Sequence, residues 1–415
     1  MNPPRVLMVA YHFPPLAGSS GIQRTLRFVQ HLPALGWEPM VLSADVRAYE
    51  RTSPDMDADI PAGTVVRRAF ALDTARHLCF RGRYIGAMAR PDRWVTWRFD
   101  GVRQGLRLVR TYQPDVLWST YPIATAHLIG HALHQRTGLP WIADFRDPMA
   151  QDGYPSDPVT HRHFLRIERH AIESARFSVF TTPGAAAEYR QRYPHCADRI
   201  VVIENGFDEP SFAEAESATP DRTSLQPGCF TLLHSGIVYP SERDPTQLMA
   251  ALASLAQQGV IRPGSLRVRF RAAVQDALLR QLAAEHGVSD YIEIAPPVPY
   301  RAALQEMLRA DALLAMQASN CNAQVPAKVY EYLRAGRPIV CLSDPVGDTA
   351  GVLRDAGVEL HARLDDAQDI ANTLKQMLDR EQPLALPRAE AVRRASRAGR
   401  AQALAELLAR ARRPD

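Results

Sequence analysis

The chain has 415 residues, of which 46% are hydrophobic and 23% charged, and its formal net charge is +4. That length predicts two domains, and that composition is typical of a globular protein, which excludes disordered, collagen-like and disulfide-framed chains. The net charge is too small to indicate a nucleic-acid partner by itself.

Short apolar runs alternate with helical patterns in the first half of the chain, as they do in βαβ units that build a parallel sheet. The predicted strands there are residues 6–10, 39–42, 65–68, 116–119, 141–144, 177–181 and 200–203. Helical patterns include residues 22–35, 101–112 and 123–135. Residues 208–228 are rich in Glu, Ser, Thr and Pro and predict a linker.

A second alternation follows the predicted linker. Its strands are residues 230–234, 266–271, 291–294, 312–316, 338–342 and 358–360, and its helices include 245–257, 275–286, 302–309 and 328–335. Residues 389–412, rich in Ala, Leu and Arg, predict a terminal helix that could cross back onto the first domain. We therefore expect an α/β protein of two doubly wound domains with a cleft between them.

The first candidate site follows the first strand, where a loop with Gly18 and Gly21 leads into a helix. Glycines let the backbone approach a ligand closely, and a helix N-terminus offers N–H groups and a positive dipole end to a phosphate. The spacing matches neither the dinucleotide-binding fingerprint nor the P-loop. An ordinary tight turn between strand and helix is the alternative.

The second candidate lies at the end of a buried strand, where Asp144 and Asp147 bracket Arg146. Ligands of open α/β sheets bind beyond the carboxyl ends of strands, so we expect these polar residues to face the cleft. Arg146 and Asp147 are the predicted catalytic residues from this half. A salt-bridged turn without substrate contact is the alternative.

The third candidate follows the first strand of the second half, where Gly236 opens a loop and Arg243 precedes the next helix. An arginine at that place could hold a diphosphate through two parallel hydrogen bonds, and we count Arg243 among the catalytic and donor-binding residues. The alternative is a surface arginine paired with Glu242 or Asp244.

The fourth candidate is a short helix that Pro326 can start and Gly336 can end. Lys328 and Glu331 would lie in its first turn, which points at the cleft. A carboxylate one turn into such a helix can accept two hydrogen bonds from a ribose diol.

Metal-binding patterns are weak in this sequence. His127, His131 and His134 share one helix face, but no carboxylate lies at the spacing of a His-Glu-x-x-His site, so we interpret them as surface or packing residues. The five cysteines are scattered without a Cys-x-x-Cys pair, which argues against a zinc site and indicates a reducing, cytoplasmic environment. We predict neither a metal nor a cofactor.

In this order along the chain, the four motifs resemble the GT-B fold glycosyltransferases of family 4, the glycosyltransferase group 1 type, over nearly the whole chain. The resemblance implies two Rossmann-like domains, a nucleotide-sugar donor bound mainly by the second, an acceptor bound mainly by the first, retention of anomeric configuration and no required metal. It divides the chain into an N-terminal domain of residues 1–207, a linker of 208–228, a C-terminal domain of 229–385 and a basic helix of 386–415 that packs back on the first domain.

Residue by residue, the resemblance implies a donor site made of Gly18, Gly21, Gly236, Arg243, Lys328 and Glu331. Glu331 corresponds to the ribose-binding second glutamate of the family's Glu-x7-Glu motif, and Lys328 supplies a phosphate or sugar contact. The sequence departs from the family at three positions. Ala323 replaces the first glutamate of that motif, Ile237 replaces an arginine, and Arg146 replaces a histidine.

We therefore expect a glycosyltransferase that uses a UDP- or GDP-sugar and a glycan or lipid-linked acceptor in surface polysaccharide or glycoconjugate assembly. The alternatives are a GT-B epimerase or phosphorylase and a non-catalytic protein that binds sugar nucleotides, which the changes at Ala323 and Ile237 would suit. Basic runs at residues 76–98 and 388–413 could contact an anionic membrane surface peripherally, but we favour solvated helix faces as their explanation.

Overall fold

The computed structural model describes residues 3–17, 21–81, 83–220, 223–379 and 383–413. The chain divides into two compact units, one made of Met1–Glu204 with Arg397–Asp415 and the other of Asn205–Ser396. Each unit contains one parallel sheet with helices on its faces. This architecture confirms the predicted pair of doubly wound, Rossmann-like domains.

Unit 1 is built on a seven-stranded sheet in the order β3-β2-β1-β4-β5-β6-β7. Its strands are β1 (Arg5–Val9), β2 (Glu38–Ala44), β3 (Val65–Ala69), β4 (Val116–Thr120), β5 (Trp141–Arg146), β6 (Phe177–Phe180) and β7 (Ile200–Val202). Its helices are α1 (Gly21–His31), α2 (Thr74–His77), α3 (Trp97–Tyr112), α4 (Ala124–Thr137), α5 (Pro158–Ser174), α6 (Pro183–Arg192) and α15 (Arg397–Arg412). The central strands are apolar on both faces because helices cover both.

Unit 2 has a six-stranded sheet in the order β10-β9-β8-β11-β12-β13. Its strands are β8 (Phe230–Ser235), β9 (Leu266–Arg271), β10 (Ile292–Ala295), β11 (Ala312–Gln317), β12 (Ile339–Ser343) and β13 (His361–Ala362). Its helices are α7 (Glu209–Ser217), α8 (Thr246–Gln257), α9 (Asp276–Glu285), α10 (Tyr300–Arg309), α11 (Lys328–Ala335), α12 (Asp348–Asp355), α13 (Ala367–Leu378) and α14 (Ala389–Ala395).

The C-terminal helix α15 belongs to unit 1, as the prediction of a helix crossing back onto the first domain required. Its apolar residues, among them Leu404 and Leu408, are buried in one cluster with Val6 and Met8 of β1. The prediction of a single helix over 389–412 is wrong in one respect, because the segment forms two helices, α14 and α15, with an interruption at Ser396. There Phe207 and Ser396 form an isolated parallel β-bridge, and the N–H of Phe207 donates to the carbonyl of Ala395.

The segment predicted as a linker instead carries α7, which packs into unit 2. Phe212 and Ala215 are fully buried in its core, and Arg334 of α11 pairs with Glu209 and Glu216. The side chain of Asp208 accepts from the backbone N–H of Ser211 and caps the helix. The last strand is also displaced, since the predicted strand at 358–360 is observed at His361–Ala362.

Candidate active site

Both sheets reverse their strand order between their first and fourth strands, β1 and β4 in unit 1 and β8 and β11 in unit 2. Ligands of open α/β sheets bind outside the carboxyl ends of strands at such a reversal. Most of the predicted residues lie at the ends of strands at or beside these two points or in the loops that follow them. Lys328 and Glu331 lie farther from a strand, in the first turn of α11 after β11. Each unit therefore has one candidate site, which we describe separately.

In unit 1, Gly21, the first residue of α1, lies directly against the side chains of His12 and Arg146. A methyl group added to Gly21 would overlap the imidazole of His12 and stand 2.9 Å from Nη1 of Arg146. Any side chain at this position would therefore displace both groups. Gly21 thus allows two side chains to approach the start of α1 closely. The close approach of a ligand at Gly21 stays a prediction, and the predicted Gly18 lies outside the described residues.

Arg146 has an unusual backbone and few hydrogen bonds. Its φ is +64°, and the N–H of Asp147 donates to the carbonyl of Phe145 at 2.7 Å, which closes a tight three-residue turn of a rare, strained kind. Its Nη1 donates to Tyr121 O at 3.4 Å, and its buried Nε has no partner among the described residues. Burial is the main cause that lowers the pKa of Arg146, and the positive charge of the nearby Arg24 is the second. A buried guanidinium with so little compensation favours an anionic ligand.

Asp144 plays a structural part, which the alternative of a salt-bridged turn anticipated. Its carboxylate is fully buried and accepts from Nε and Nη2 of Arg24, both at 2.9 Å, and from Oγ1 of Thr120 at 2.8 Å. The hydrogen-bonded partner of Asp144 is thus Arg24 of α1, while Asp144 acts on Arg146 through its charge. Asp147 is exposed and accepts from Thr181 Oγ1 at 3.3 Å.

His12 is a residue that sequence reasoning quoted within the first motif but did not single out. Burial, followed by the charge of Arg146, lowers its pKa to about 4. The imidazole is therefore neutral near neutral pH and adds no second positive charge beside Arg146. Its position directly after the first strand is the signal that could have identified it.

In unit 2, Gly236, Lys328 and His234 form one tight group at the end of β8. Gly236 has φ +114°, and an added methyl group would stand 3.2 Å from Nζ of Lys328. That amine donates to Nε2 of His234 at 3.0 Å, while Nδ1 of the same ring donates to the carbonyl of Leu314 at 3.0 Å. Because a neutral imidazole has one donor and one acceptor nitrogen, these contacts require His234 to be neutral.

Lys328 is one of only two lysines in a chain with 49 cationic residues. Burial, followed by the nearby Arg243, lowers its pKa to about 7, and Glu331 acts in the opposite direction. Burial likewise holds the pKa of His234 well below its ordinary value, with the Lys328 charge as the next cause. A compact ammonium fits the space against Gly236, where a planar guanidinium would need more room.

Arg243 is only 8% exposed, so the alternative of a surface arginine is wrong about its position, whereas the pairing with Glu242 that it included is observed. Its Nη2 donates to Gln317 Oε1 at 3.4 Å, and its Nη1 lies 3.4 Å from the carboxylate of Glu242. The guanidinium also lies over the ring of Tyr239, 5.2 Å from its centroid. Its buried Nε has no partner among the described residues, so Arg243 keeps capacity for a further acceptor.

Glu331 lies in the first turn of α11, and Gly336 ends that helix in the left-handed conformation at φ +63°, as predicted. The hydroxyl of Tyr300 donates to Glu331 Oε1 at 2.8 Å. The next residue, Tyr332, is buried, and its hydroxyl accepts from the N–H of Ser235 at 2.8 Å. This bond ties α11 to the end of β8. Ala323 and Ile237, the two departures from the family, are both exposed.

Of the three histidines of α4, His127 is a buried packing residue, and His131 and His134 are partly buried. His127 is fully buried, and its Nδ1 shares a hydrogen bond of 2.8 Å with Ser119 Oγ; His134 bonds to the carbonyl of Leu139. Over the described ranges, no group of three or more His, Cys, Asp and Glu side chains could hold a metal ion.

A pocket of about 200 Å³ in unit 2 is lined by other residues, including Asp244, Ser319 and Asp344. None of the predicted residues lines it.

Comparison with known proteins identifies relatives of both units. Residues 20–206 match the family described as glycosyl transferase 4-like domain. The D-inositol 3-phosphate glycosyltransferase of Thermobispora bispora is 26% identical over 316 residues, which cover 71% of this chain and 70% of that protein. The enzyme of the same name from Streptosporangium roseum is 26% identical over 302 residues, 66% of this chain and 64% of that protein. The chain thus spans about two thirds of the length of these relatives.

Solved structures show the same fold at low sequence identity. HepE of Anabaena, solved in complex with UDP, has a TM-score of 0.59 at 13% identity and covers 98% of this chain and 97% of its own. The α,α-trehalose 6-phosphate synthase of Burkholderia multivorans has a TM-score of 0.63 at 12% identity, with 98% and 96% covered. In the part of the chain that the structure describes, no helix is long and apolar enough to cross a membrane. Fold, family match and relatives together support a glycosyltransferase of GT-B fold, similar over residues 20–206 to the glycosyl transferase 4-like family.

Proposed function

We propose that the chain transfers a sugar from a nucleotide-sugar donor to a hydroxyl of a glycan or lipid-linked acceptor, with retention of anomeric configuration and without a metal ion. The observation that carries this proposal is a pair of cations beyond the end of β8, the buried Arg243 and the partly buried Lys328. Among the described residues, Lys328 and Arg243 contact His234, Gln317 and Tyr239, which are neutral; Glu242 lies 3.4 Å from Arg243, and Glu331 acts on Lys328 through its charge. Buried positive charge with so few acids favours an anion such as a diphosphate.

The donor diphosphate lies on Lys328 and Arg243 in this proposal, with Gly236 giving its oxygens room to approach. The first turn of α11 adds the positive end of its helix dipole. These groups replace the divalent cation that would otherwise neutralise the leaving diphosphate. Glu331, in the same turn, accepts hydrogen bonds from the ribose diol. The binding of UDP by the structurally similar HepE supports a nucleotide donor.

The reaction exchanges one bond at the anomeric carbon of the sugar. The bond to the leaving phosphate oxygen breaks, the bond to the acceptor oxygen forms on the same face, and the acceptor proton passes to that phosphate oxygen. No side chain needs to act as a strong base, so the protein contributes positioning and charge stabilisation. Lys328 and Arg243 stabilise the charge that develops on the leaving group.

Unit 1 binds the acceptor in this proposal, through Arg146 and Asp147. The buried guanidinium of Arg146, against Gly21 at the start of α1, suits an anionic or phosphate-bearing part of the bound substrates. The exposed carboxylate of Asp147 can accept a hydrogen bond from a sugar hydroxyl. The strained turn at Arg146 holds both side chains at the carboxyl end of β5.

A thermal-shift panel of UDP, GDP, ADP and TDP tests the donor assignment. A nucleotide at about 100 times its dissociation constant stabilises a protein by roughly 2.7 kcal/mol, and we expect UDP or GDP to do so. Lys328→Met should abolish the shift, whereas Lys375→Met, which removes the other lysine from the exposed side of α13, should keep it. Absence of a shift with every nucleotide, or equal losses in both variants, contradicts the proposal.

A further inference from the structure

Exposed large hydrophobic side chains concentrate in one short stretch of unit 1. Fourteen such side chains occur among the described residues, and four of them, Phe80, Tyr84, Ile85 and Met88, fall within nine consecutive residues. Phe80 and Ile85 are 78% and 70% exposed. A cluster of this kind on a folded surface indicates a contact with a partner or a membrane.

The same stretch carries a concentrated positive charge. Residues 76–91 contain Arg76, Arg81, Arg83 and Arg90 and no acidic residue, so their formal charge of +4 equals that of the whole chain. The guanidinium of Arg81 lies 5.5 Å from the ring centroid of Phe80. Apolar and cationic groups thus occupy one small area, which we call the 76–91 surface.

The 76–91 surface is held in place by hydrogen bonds to its neighbours. The backbones of Phe80 and Arg83 exchange hydrogen bonds of 2.8 and 3.0 Å. The hydroxyl of Thr74 donates to the carbonyl of Met88 at 2.9 Å, and the N–H of Thr74 donates to Arg93. The apolar side chains are therefore exposed on an ordered framework, which does not have to form at the moment of contact.

The C-terminal helix offers no comparable surface, although it was the other basic run of the sequence. Its leucines, Leu404, Leu407 and Leu408, are at most 4% exposed because they pack into unit 1. Two of its arginines already contact other groups, since Arg412 pairs with Asp115 and Arg410 lies over the ring of Phe177.

We propose that the 76–91 surface docks on an anionic lipid bilayer. Phe80, Ile85 and Met88 enter the interfacial region, Tyr84 lies at the headgroup level, and Arg81 and Arg83 face lipid phosphates. Arg76 and Arg90 add positive charge while they contact the carbonyl of Tyr49 and the carboxylate of Asp157. Charge complementarity favours an anionic membrane, and the aliphatic side chains of Ile85 and Met88 favour hydrocarbon over a nucleic acid. This docking is independent of the proposed donor chemistry, because it requires no residue of the candidate active site.

Co-sedimentation with vesicles tests the proposal in the absence of nucleotide. The wild-type chain should bind vesicles of equal parts phosphatidylglycerol and phosphatidylcholine, more weakly as salt increases, and should not bind pure phosphatidylcholine. Arg81→Gln with Arg83→Gln should lower the partition coefficient about 25-fold, roughly fivefold for each arginine. Phe80→Ser with Ile85→Ser should lower it at least about tenfold. These side chains are exposed, so the variants should fold normally.

Matched controls separate this surface from general charge and hydrophobicity. Arg393→Gln with Arg394→Gln removes the same charge from exposed positions of α14, and Val346→Ser removes an apolar side chain that is 81% exposed in unit 2. Both should bind vesicles like the wild type. Equal losses in these controls, or no binding by the wild type, would overturn the proposal. It would also be overturned if the Phe80 and Ile85 substitutions dissociated a dimer in lipid-free buffer, because the surface would then serve a second copy.

Discussion

The lowered pKa of Lys328 predicts how donor affinity depends on pH. Burial and the neighbouring Arg243 lower this pKa to about 7. An ammonium binds phosphate and a neutral amine does not, so the bound donor takes up a proton wherever the free site has lost it. With that pKa, the protonated fraction falls from roughly nine tenths at pH 6 to roughly one tenth at pH 8. Donor affinity should therefore be highest on the acid side and fall about tenfold across this window.

Titration calorimetry with an intact nucleotide sugar measures this effect. A free nucleoside diphosphate is unsuitable because its own terminal phosphate titrates at about pH 6. Buffers with different ionisation enthalpies report the number of protons taken up, which should approach one at pH 8. Lys328→Arg should flatten the profile because a guanidinium stays charged, and Lys375→Arg should leave it unchanged. A flat wild-type profile from pH 6 to 8 would refute the reasoning.

Three further predictions concern close approach, buried charge and domain integrity. Gly236→Ala should weaken donor binding more than about tenfold by displacing Lys328. Gly259→Ala, at φ +70° with open space around it, should lower only the unfolding free energy, by about 1 kcal/mol. Equal donor affinities of the two variants in calorimetry would contradict this prediction. Asp144→Asn should lower the unfolding free energy by about 3–5 kcal/mol because Arg24 loses its buried partner, and a loss under about 1 kcal/mol in urea unfolding would oppose it. Deletion of α15 should destabilise unit 1 selectively, seen as a separate early transition, and a single unshifted transition would disagree.

The fold was predictable because its strands are buried on both faces. Such strands, for example β11 and β12, appear as continuous apolar runs. β9 alternates apolar and arginine residues instead, and the predicted bounds of β9 and α11 agree with the observed ones. The helix α7 was not predictable because its polar composition conceals the two residues, Phe212 and Ala215, that it buries. The break at Ser396 depends on a backbone contact with Phe207, far away in sequence.

The candidate site was predictable at the level of strand ends and not at the level of partners. Residues that follow strands at the order reversal, such as Gly236, must lie near the carboxyl edge of the sheet. The pairing of Asp144 with Arg24 and the contact of Lys328 with His234 join residues 120 and 94 positions apart. Tertiary packing selects those partners, and local sequence patterns carry no signal for them.

Release of nucleoside diphosphate from a nucleotide sugar, measured in EDTA, tests the central claim most directly. The donor is the one that the thermal-shift panel selects, and chromatography separates the released nucleotide. The wild-type chain should turn the donor over without added metal. Glu331→Ala should lower kcat/KM for the donor about 100-fold or more, because two hydrogen bonds to a charged group are lost, and Glu285→Ala on the exposed side of α9 should not. Turnover that requires a divalent cation, or near-wild-type donor kinetics in Glu331→Ala, would contradict the account.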